Sequence, residues 1–167
     1  MAVELVKATA ITNADATPPV LTSTKIGGGR SYSALGTAEL TATASIASIV
    51  RFCRVPSNAV MTDVVLKCDA ITSGAGDIGL YDTLANGSAV VDADFFASAQ
   101  SIATALPGTS VIHESGVLGV EDVELELWQV LGLSADPQKQ YDVALTLTAA
   151  ATAAGTVSLV CRYCSGN

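Results

Sequence analysis

The side chains with the widest choice of chemistry in this sequence are its four cysteines, which could form disulfides, bind a metal or remain buried thiols. They are Cys53, Cys68, Cys161 and Cys164. Four cysteines allow three intrachain pairings, and spacing alone does not choose among them. Alternation places Cys68 and Cys161 on the apolar faces of their strands and Cys53 on the face opposite Phe52. We expect Cys68 and Cys161 to be buried thiols, and Cys164, near the chain end, to be the better candidate for a bridge within or between subunits.

The string Cys161-Arg162-Tyr163-Cys164 matches C-x-x-C, which occurs in zinc sites and in redox pairs. Residues three positions apart in a β-strand point to opposite faces, so these two thiols would diverge. No second cysteine pair completes a zinc site, and no βαβ pattern surrounds the string. The spacing therefore favours neither a metal site nor a redox motif.

His113 is the single histidine of the chain, and histidine is the commonest general base and metal ligand. The sequence has no second histidine to complete a site, and the adjacent Glu114 would point to the other face of a strand. No G-x-S-x-G string marks a nucleophile. We expect His113 to be a polar strand residue, and we predict no catalytic residue.

Two other groups could bind an ion or a phosphate. The glycine run at 27–29 lacks the Lys-Ser/Thr ending of a phosphate-binding loop, so it predicts a flexible joint. The carboxylates of Glu121, Asp122, Glu124 and Glu126 do not follow the calcium-loop spacing, and they suit the start of a helix, where negative charge is stabilised. We predict no metal and no cofactor.

Composition and charge indicate the fold class and exclude some kinds of partner. Half of the 167 residues are hydrophobic, but only 5% are aromatic and 14% charged, and the formal net charge is −8. Small and β-branched side chains favour strands over a helical bundle. A strongly acidic surface repels phosphate backbones and anionic lipids, so we expect neither nucleic acid nor membrane as a partner. The first residues do not resemble a secretory signal, so we expect synthesis in a cytoplasm.

Alternating apolar residues, interrupted by turn signals such as Pro56-Ser57-Asn58 and Asn86-Gly87, run from residue 46 onwards. Residues 60–70 alternate cleanly, and residues 141–148 and 157–163 predict a C-terminal hairpin. About seven short strands of this kind indicate a mostly-β fold, an antiparallel β-sandwich of jelly-roll-like type. We assign this domain to residues 44–167.

Residues 1–43 differ from the rest and predict an extended N-terminal arm, although a docked edge strand is an alternative for part of them. The Pro18-Pro19 pair forbids helix and favours an extended path. Such arms often become ordered only against a neighbour. The candidate contact residues of the arm are Val3, Leu5, Val6, Pro18 and Pro19.

One short helix is predicted at 120–132. Asp122 is placed to cap it, and Gly132 to end it. Because Leu125, Trp128 and Leu131 recur at helical spacing, we expect Trp128 to anchor this helix in the core.

Several strings resemble a group of tailed-phage and prophage virion structural proteins. The resemblance covers roughly residues 46–163 and rests on packing and turn elements rather than a catalytic motif. The strings are Val55-Pro56-Ser57-Asn58-Ala59, Gly79-Leu80-Tyr81, Val90-Val91-Asp92-Ala93-Asp94-Phe95-Phe96-Ala97, Leu127-Trp128 with Leu131-Gly132-Leu133, Asp136-Pro137, and Tyr141-Asp142-Val143-Ala144-Leu145-Thr146.

The resemblance implies a capsid decoration (cement) protein, which clamps an assembled lattice of major capsid protein, often as a homotrimer. It implies a place on the outer capsid surface of the virion, after synthesis in the host cytoplasm. A different hypothesis is a tail- or fibre-associated module that recognises a host glycan or protein, which would need an exposed aromatic cluster or a cation site. A small hydrolase that uses His113 is the third.

Overall fold

A computed structural model describes residues 6–165 of the chain. Two short helices, α1 (Thr9–Ala14) and α2 (Leu127–Val130), accompany eight strands. The strands are β1 (Ser31–Leu40), β2 (Ile49–Pro56), β3 (Val60–Cys68), β4 (Ala75–Asp82), β5 (Val90–Ser101), β6 (Leu106–Ser110), β7 (Gln140–Ala149) and β8 (Gly155–Cys164). Single 3-10 turns lie at Leu84–Asn86 and Val120–Asp122. Within residues 6–165, no helix is long and apolar enough to cross a membrane.

The strands pair as in one long hairpin that has been rolled up. β1 pairs with β8, β2 with β7, β3 with β6 and β4 with β5, and every pair is antiparallel. Rolling also brings β3 against β8 and β4 against β7, which gives two four-stranded sheets of order β1-β8-β3-β6 and β2-β7-β4-β5. The predicted mostly-β antiparallel sandwich is confirmed.

The core lies between the two sheets and follows the predicted alternation. In β3 the side chains of Val64 and Leu66 are fully buried, and in β7 those of Val143 and Leu145 are as well. Since alternate residues of a strand share a face, each central strand contributes one such inward row. The interior is therefore built mainly from aliphatic side chains of the central strands.

The predicted C-terminal hairpin is wrong, because β7 and β8 belong to different sheets. β7 pairs with β2 and β4, whereas β8 pairs with β1 and β3. Residues 150–154 carry the chain from one sheet to the other. Alternation shows which side of a strand faces the core, but in a sandwich both sheets supply inward faces, so it does not identify the partner strand.

The predicted arm is also too long, since residues 31–40 form β1 within the sandwich. β1 pairs with β8 along its whole length and has one buried residue, Leu40. Its small polar side chains resemble those of an arm, but an edge strand needs few apolar residues. In the described part of the chain, the sandwich thus begins at residue 31 rather than 44.

The helix predicted at 120–132 is shorter than expected. The structure has a 3-10 turn at Val120–Asp122 and a single α-helical turn at Leu127–Val130, and a second short helix, α1, lies near the N-terminus. Glu126 precedes α2, and its backbone N–H donates to the side chain of Gln129 at 2.9 Å. This local hydrogen bond starts the helix at residue 127.

Gly36 lets β1 approach the neighbouring sheet. A Cβ atom at this position would overlap the carbonyl oxygen of Phe52 in β2. Replacing a strand glycine by alanine usually stabilises, because it restricts the unfolded chain. Here we expect Gly36→Ala to lower the free energy of unfolding by about 1–3 kcal/mol through overpacking, measured by urea denaturation.

Leu35→Ala is the matched control, since Leu35 is the preceding residue of β1 and its side chain is 69% exposed. We expect this variant to change stability by less than about 0.5 kcal/mol. A Gly36→Ala protein as stable as the parent would contradict the close packing of β1 on β2.

Candidate functional site

Residues 6–30 form a segment outside both sheets, which we call the arm. None of its side chains is buried. Its helix α1 is held locally, by an ion pair of 2.7 Å between Lys7 and Asp15. The helix ends at Ala14, ahead of Pro18 and Pro19, which cannot continue it. The arm therefore lacks a core of its own.

The arm exposes large apolar side chains to an unusual degree. Leu21 is 95% exposed and Val6 is 84% exposed. Ile11, Val20 and Ile26 are also exposed. Burying one such side chain stabilises by about 1.5–3 kcal/mol. The sandwich does not bury these side chains, so contact with another molecule could do so.

Of the predicted arm contacts, Val6, Pro18 and Pro19 lie on this exposed surface. Val3 and Leu5 lie outside the described residues.

Lys25 attaches the end of the arm to the sandwich. Its ammonium group lies 2.8 Å from a carboxylate oxygen of Glu126 and donates to the carbonyl oxygen of Asn58 at 3.3 Å. The other carboxylate oxygen of Glu126 accepts from the indole N–H of Trp128 at 2.9 Å. The arm thus contacts the β2–β3 turn and the start of α2 at one end of the sandwich.

A shallow groove of about 320 Å³ lies beside this attachment. Ser23, Lys25 and Ile26 line it from the arm, and Val60 and Gln129 line it from the sandwich. The groove has polar and apolar walls but no set of converging catalytic groups among its lining residues.

Leu127, rather than Trp128, anchors α2 in the core. Leu127 is 1% exposed and belongs to the main hydrophobic cluster, whereas Trp128 is only partly buried and lies outside that cluster. α2 has only four residues, of which Leu127 is buried and Val130 packs partly against the core, so the extended helical face predicted for Trp128 does not exist. The indole instead supports Glu126, the ion-pair partner of the arm.

The structure separates the four cysteines into different settings. Cys161 is fully buried and Cys68 nearly so, while Cys53 and Cys164 are partly buried. The Sγ atoms of Cys53 and Cys161 lie 3.5 Å apart. Burial raises the pKa of the Cys68 thiol, whose sulfur lies 3.7 Å from the carbonyl oxygen of Thr104. The thiols therefore differ in both exposure and partners.

The remaining candidate residues make local hydrogen bonds. His113 lies in a turn after β6 and not in a strand as expected, and its Nδ1 lies 2.8 Å from the carbonyl oxygen of Leu118. Asp122 accepts from the backbone N–H of Gly119 at 3.3 Å. Among residues 6–165, no three histidine, cysteine, aspartate or glutamate side chains are grouped to hold a metal ion.

The most buried carboxylate, Asp142 in β7, was not singled out by its sequence pattern. It is 6% exposed, and its two oxygens lie 2.8 Å from Arg51 Nη1 and 2.6 Å from Arg54 Nε. Arg51 also donates to the carbonyl oxygen of Asp82 at 2.7 Å. The bidentate arrangement ties β2 to β7 and β4, so its role is structural.

The fold is shared with chains of two phage capsids. A chain of the cyanophage Pam1 capsid asymmetric unit aligns with a TM-score of 0.54 and 17% identity, over 91% of this chain and 97% of that chain. A chain of the capsid of Ralstonia phage GP4 aligns with a TM-score of 0.56 and 15% identity, over 83% of this chain and 86% of that chain. The sequence matches no protein-family model and no curated protein. At these identities the likeness is one of fold.

Glu126→Gln should loosen the arm without weakening the sandwich, because it removes the ion pair with Lys25 but keeps the side-chain length. A partly buried pair of this kind is worth up to about 1 kcal/mol. We expect hydrogen exchange at the amides of Ile26 and Gly27, which donate to the carbonyl oxygen of Ser23, to become roughly twofold to fivefold faster.

Glu124→Gln is the control, since Glu124 lines the same groove with an exposed side chain. Its exchange rates should match those of the parent. Equal rates in the parent and Glu126→Gln proteins would show that this ion pair does not hold the arm.

Asp142→Asn should destabilise the fold by about 1–2 kcal/mol, because it leaves two guanidinium groups without their partly buried counter-charge. Chemical denaturation measures this change. Asp63→Asn provides the comparison, as Asp63 forms a more exposed pair with Arg162 at 3.0 Å, and we expect a loss below about 1 kcal/mol. A larger loss for Asp63→Asn than for Asp142→Asn would contradict the structural role assigned to Asp142.

Proposed function

We propose that this chain is a non-enzymatic structural protein of a phage virion, and that it decorates the capsid by binding the outer surface of the major capsid protein lattice. The fold it shares with chains of two phage capsids supports the virion role. The resemblance of its packing and turn strings to virion proteins points in the same direction.

The exposed arm is the observation that carries this proposal. A jelly-roll-like sandwich with a complete core has no internal need for a segment that leaves Leu21 and Val6 almost fully exposed. Extended segments bind neighbours through backbone hydrogen bonds, while their apolar side chains fill pockets. Val3, Leu5, Val6, Pro18 and Pro19 are the contacts with the capsid protein that the sequence suggests, and the exposed Leu21 is added to them on its exposure.

The charge favours the outside of the shell. A formal net charge of −8 on 167 residues is repelled by packaged nucleic acid, because the phosphate backbone is negative. An outward-facing position avoids that repulsion. The protein would be synthesised in the host cytoplasm and would reach the capsid from its outer side.

We further propose that the chain binds as a homotrimer. Three linked arms would convert weak single contacts into tight attachment, because each later contact forms at high effective concentration. Sedimentation velocity at micromolar concentration should then give a particle of about three times the 16.9 kDa of one chain. A strictly monomeric protein at micromolar concentration would remove this part of the proposal.

The experiment compares purified virions with virions that lack the protein and to which it is added back. Mass spectrometry should detect the chain in virions at a fixed ratio to the major capsid protein, and antibody should label it on intact particles. Leu21→Asp should reduce add-back binding by at least about tenfold, since a buried apolar anchor would become charged.

Leu84→Asp is the matched control, because Leu84 is 81% exposed but lies between β4 and β5 of the sandwich. Its binding should equal that of the parent. Absence of the chain from purified virions would overturn the proposed function. Equal losses of binding for the two variants would overturn the assignment of the arm as the contact.

A further inference from the structure

Two of the four thiols meet across the interior of the sandwich. Cys53 comes from β2 and Cys161 from β8, which belong to opposite sheets. Their Sγ atoms are 3.5 Å apart, and among the described residues no other pair of thiols lies within hydrogen-bonding distance. A disulfide requires about 2.05 Å between the sulfurs, so the pair needs to close by roughly 1.5 Å.

A β-bulge directs Cys53 towards Cys161. In the pairing of β2 with β7, Arg51 lies opposite Ala144 and Cys53 lies opposite Val143, so Phe52 is an extra residue. One extra residue shifts the alternation of side chains along a strand. Cys53 therefore packs against the core in spite of its position in the sequence pattern.

The two thiols differ in exposure and in pKa, and this difference allows them to be oxidised one after the other. Cys161 is fully buried, whereas Cys53 is partly exposed and lines a surface pocket of about 210 Å³ together with Arg51 and Arg54. The hydrogen bond with Cys161 lowers the pKa of Cys53, and the same bond together with burial raises the pKa of Cys161. Cys53 is thus the thiol that an oxidant reaches, and its thiolate is the more accessible nucleophile.

We propose that Cys53 and Cys161 form a disulfide that joins the two sheets when the protein meets a low-molecular-weight disulfide such as oxidised glutathione. The Cys53 thiolate attacks one sulfur of that reagent, forms a mixed disulfide and releases one thiolate. Cys161 then loses its proton to the released thiolate and attacks Cys53 Sγ, which releases the second. Two protein thiols are oxidised by two electrons, and the reagent is reduced to two thiols.

Neither of the other cysteines has a partner placed for this reaction. The sulfur of Cys68 faces backbone carbonyl oxygens near β6. Cys164 ends β8, where it lies opposite Val60 of β3 and Ser31 of β1. The geometry therefore assigns one specific pair out of the six that four cysteines could form.

Trypsin provides a direct test, because the chain's lysines and arginines place each cysteine in a separate peptide. Cys53 falls in residues 52–54, Cys68 in 68–139, Cys161 in 140–162 and Cys164 in 163–167. After oxidation of the folded protein with oxidised glutathione and digestion without reductant, we expect peptide 52–54 linked to peptide 140–162. Cys68 and Cys164 should still react with an alkylating reagent.

The bridge should also raise the thermal midpoint. It would close a loop of 108 residues, and a loop of that size restricts the unfolded chain enough to raise Tm by roughly 5–15 °C. The rise should disappear on addition of reductant. Cys164→Ser should keep the whole effect, and Cys53→Ser should lose it while the protein remains folded.

Three outcomes would overturn the proposal. They are four thiols that stay reactive, a link that involves peptide 163–167, and a covalent dimer on a non-reducing gel in place of the intrachain link. A bridged protein whose Tm does not rise would overturn the claim that the bridge fastens the sheets together. None of these results bears on whether the chain is found in virions.

Discussion

The pairing of the first strand with the last is the constraint on which the rest of the structure depends. β1 and β8 pair along ten residues, with Ser31 opposite Cys164 and Leu40 opposite Gly155. Because the pair is antiparallel, the point where the arm enters the sandwich lies beside the end of the last strand. The β2–β3 turn lies at the same end, where Asn58 receives a hydrogen bond from Lys25. The fold thus brings the attached end of the arm, this turn and α2 together at one end of the sandwich.

Sequence patterns predicted the inward faces of the strands but not their neighbours. The alternation found over residues 60–70 and 141–148 agrees with the burial of Val64, Leu66, Val143 and Leu145, because a strand with one buried face has an apolar residue at every second position. The sequence pattern does not show which strand lies beside which, because every strand of a sandwich has an apolar inward face. The pairing of β7 with β8 was therefore predicted wrongly. The small residues of β1 concealed a strand for a related reason, as an edge strand is largely exposed.

The parts of the candidate site that depend on neighbouring residues could be predicted from the sequence. The parts that depend on contacts between distant residues could not. The prolines at 18 and 19 and the glycines at 27–29 marked a segment that leaves the sandwich. The ion pair between Lys25 and Glu126 joins residues about a hundred positions apart, and no local signal indicates it. The face on which Cys53 lies also depends on the fold, because the bulge at Phe52 changes the alternation of side chains along β2.

Several of the contacts described above hold β2 in place. As an edge strand of its sheet it has one hydrogen-bonded neighbour, β7, and edge strands are the easiest to detach. Three contacts compensate: the two arginine pairs with Asp142, the close approach of Gly36 to Phe52, and the thiol contact with Cys161. Two of these three connect β2 to the β1–β8 pair, so a force applied through the arm to Ser31 would pass from β1 into both sheets. The proposed attachment through the arm would need this kind of connection, because otherwise the first strand would detach from the sandwich before the arm released its partner.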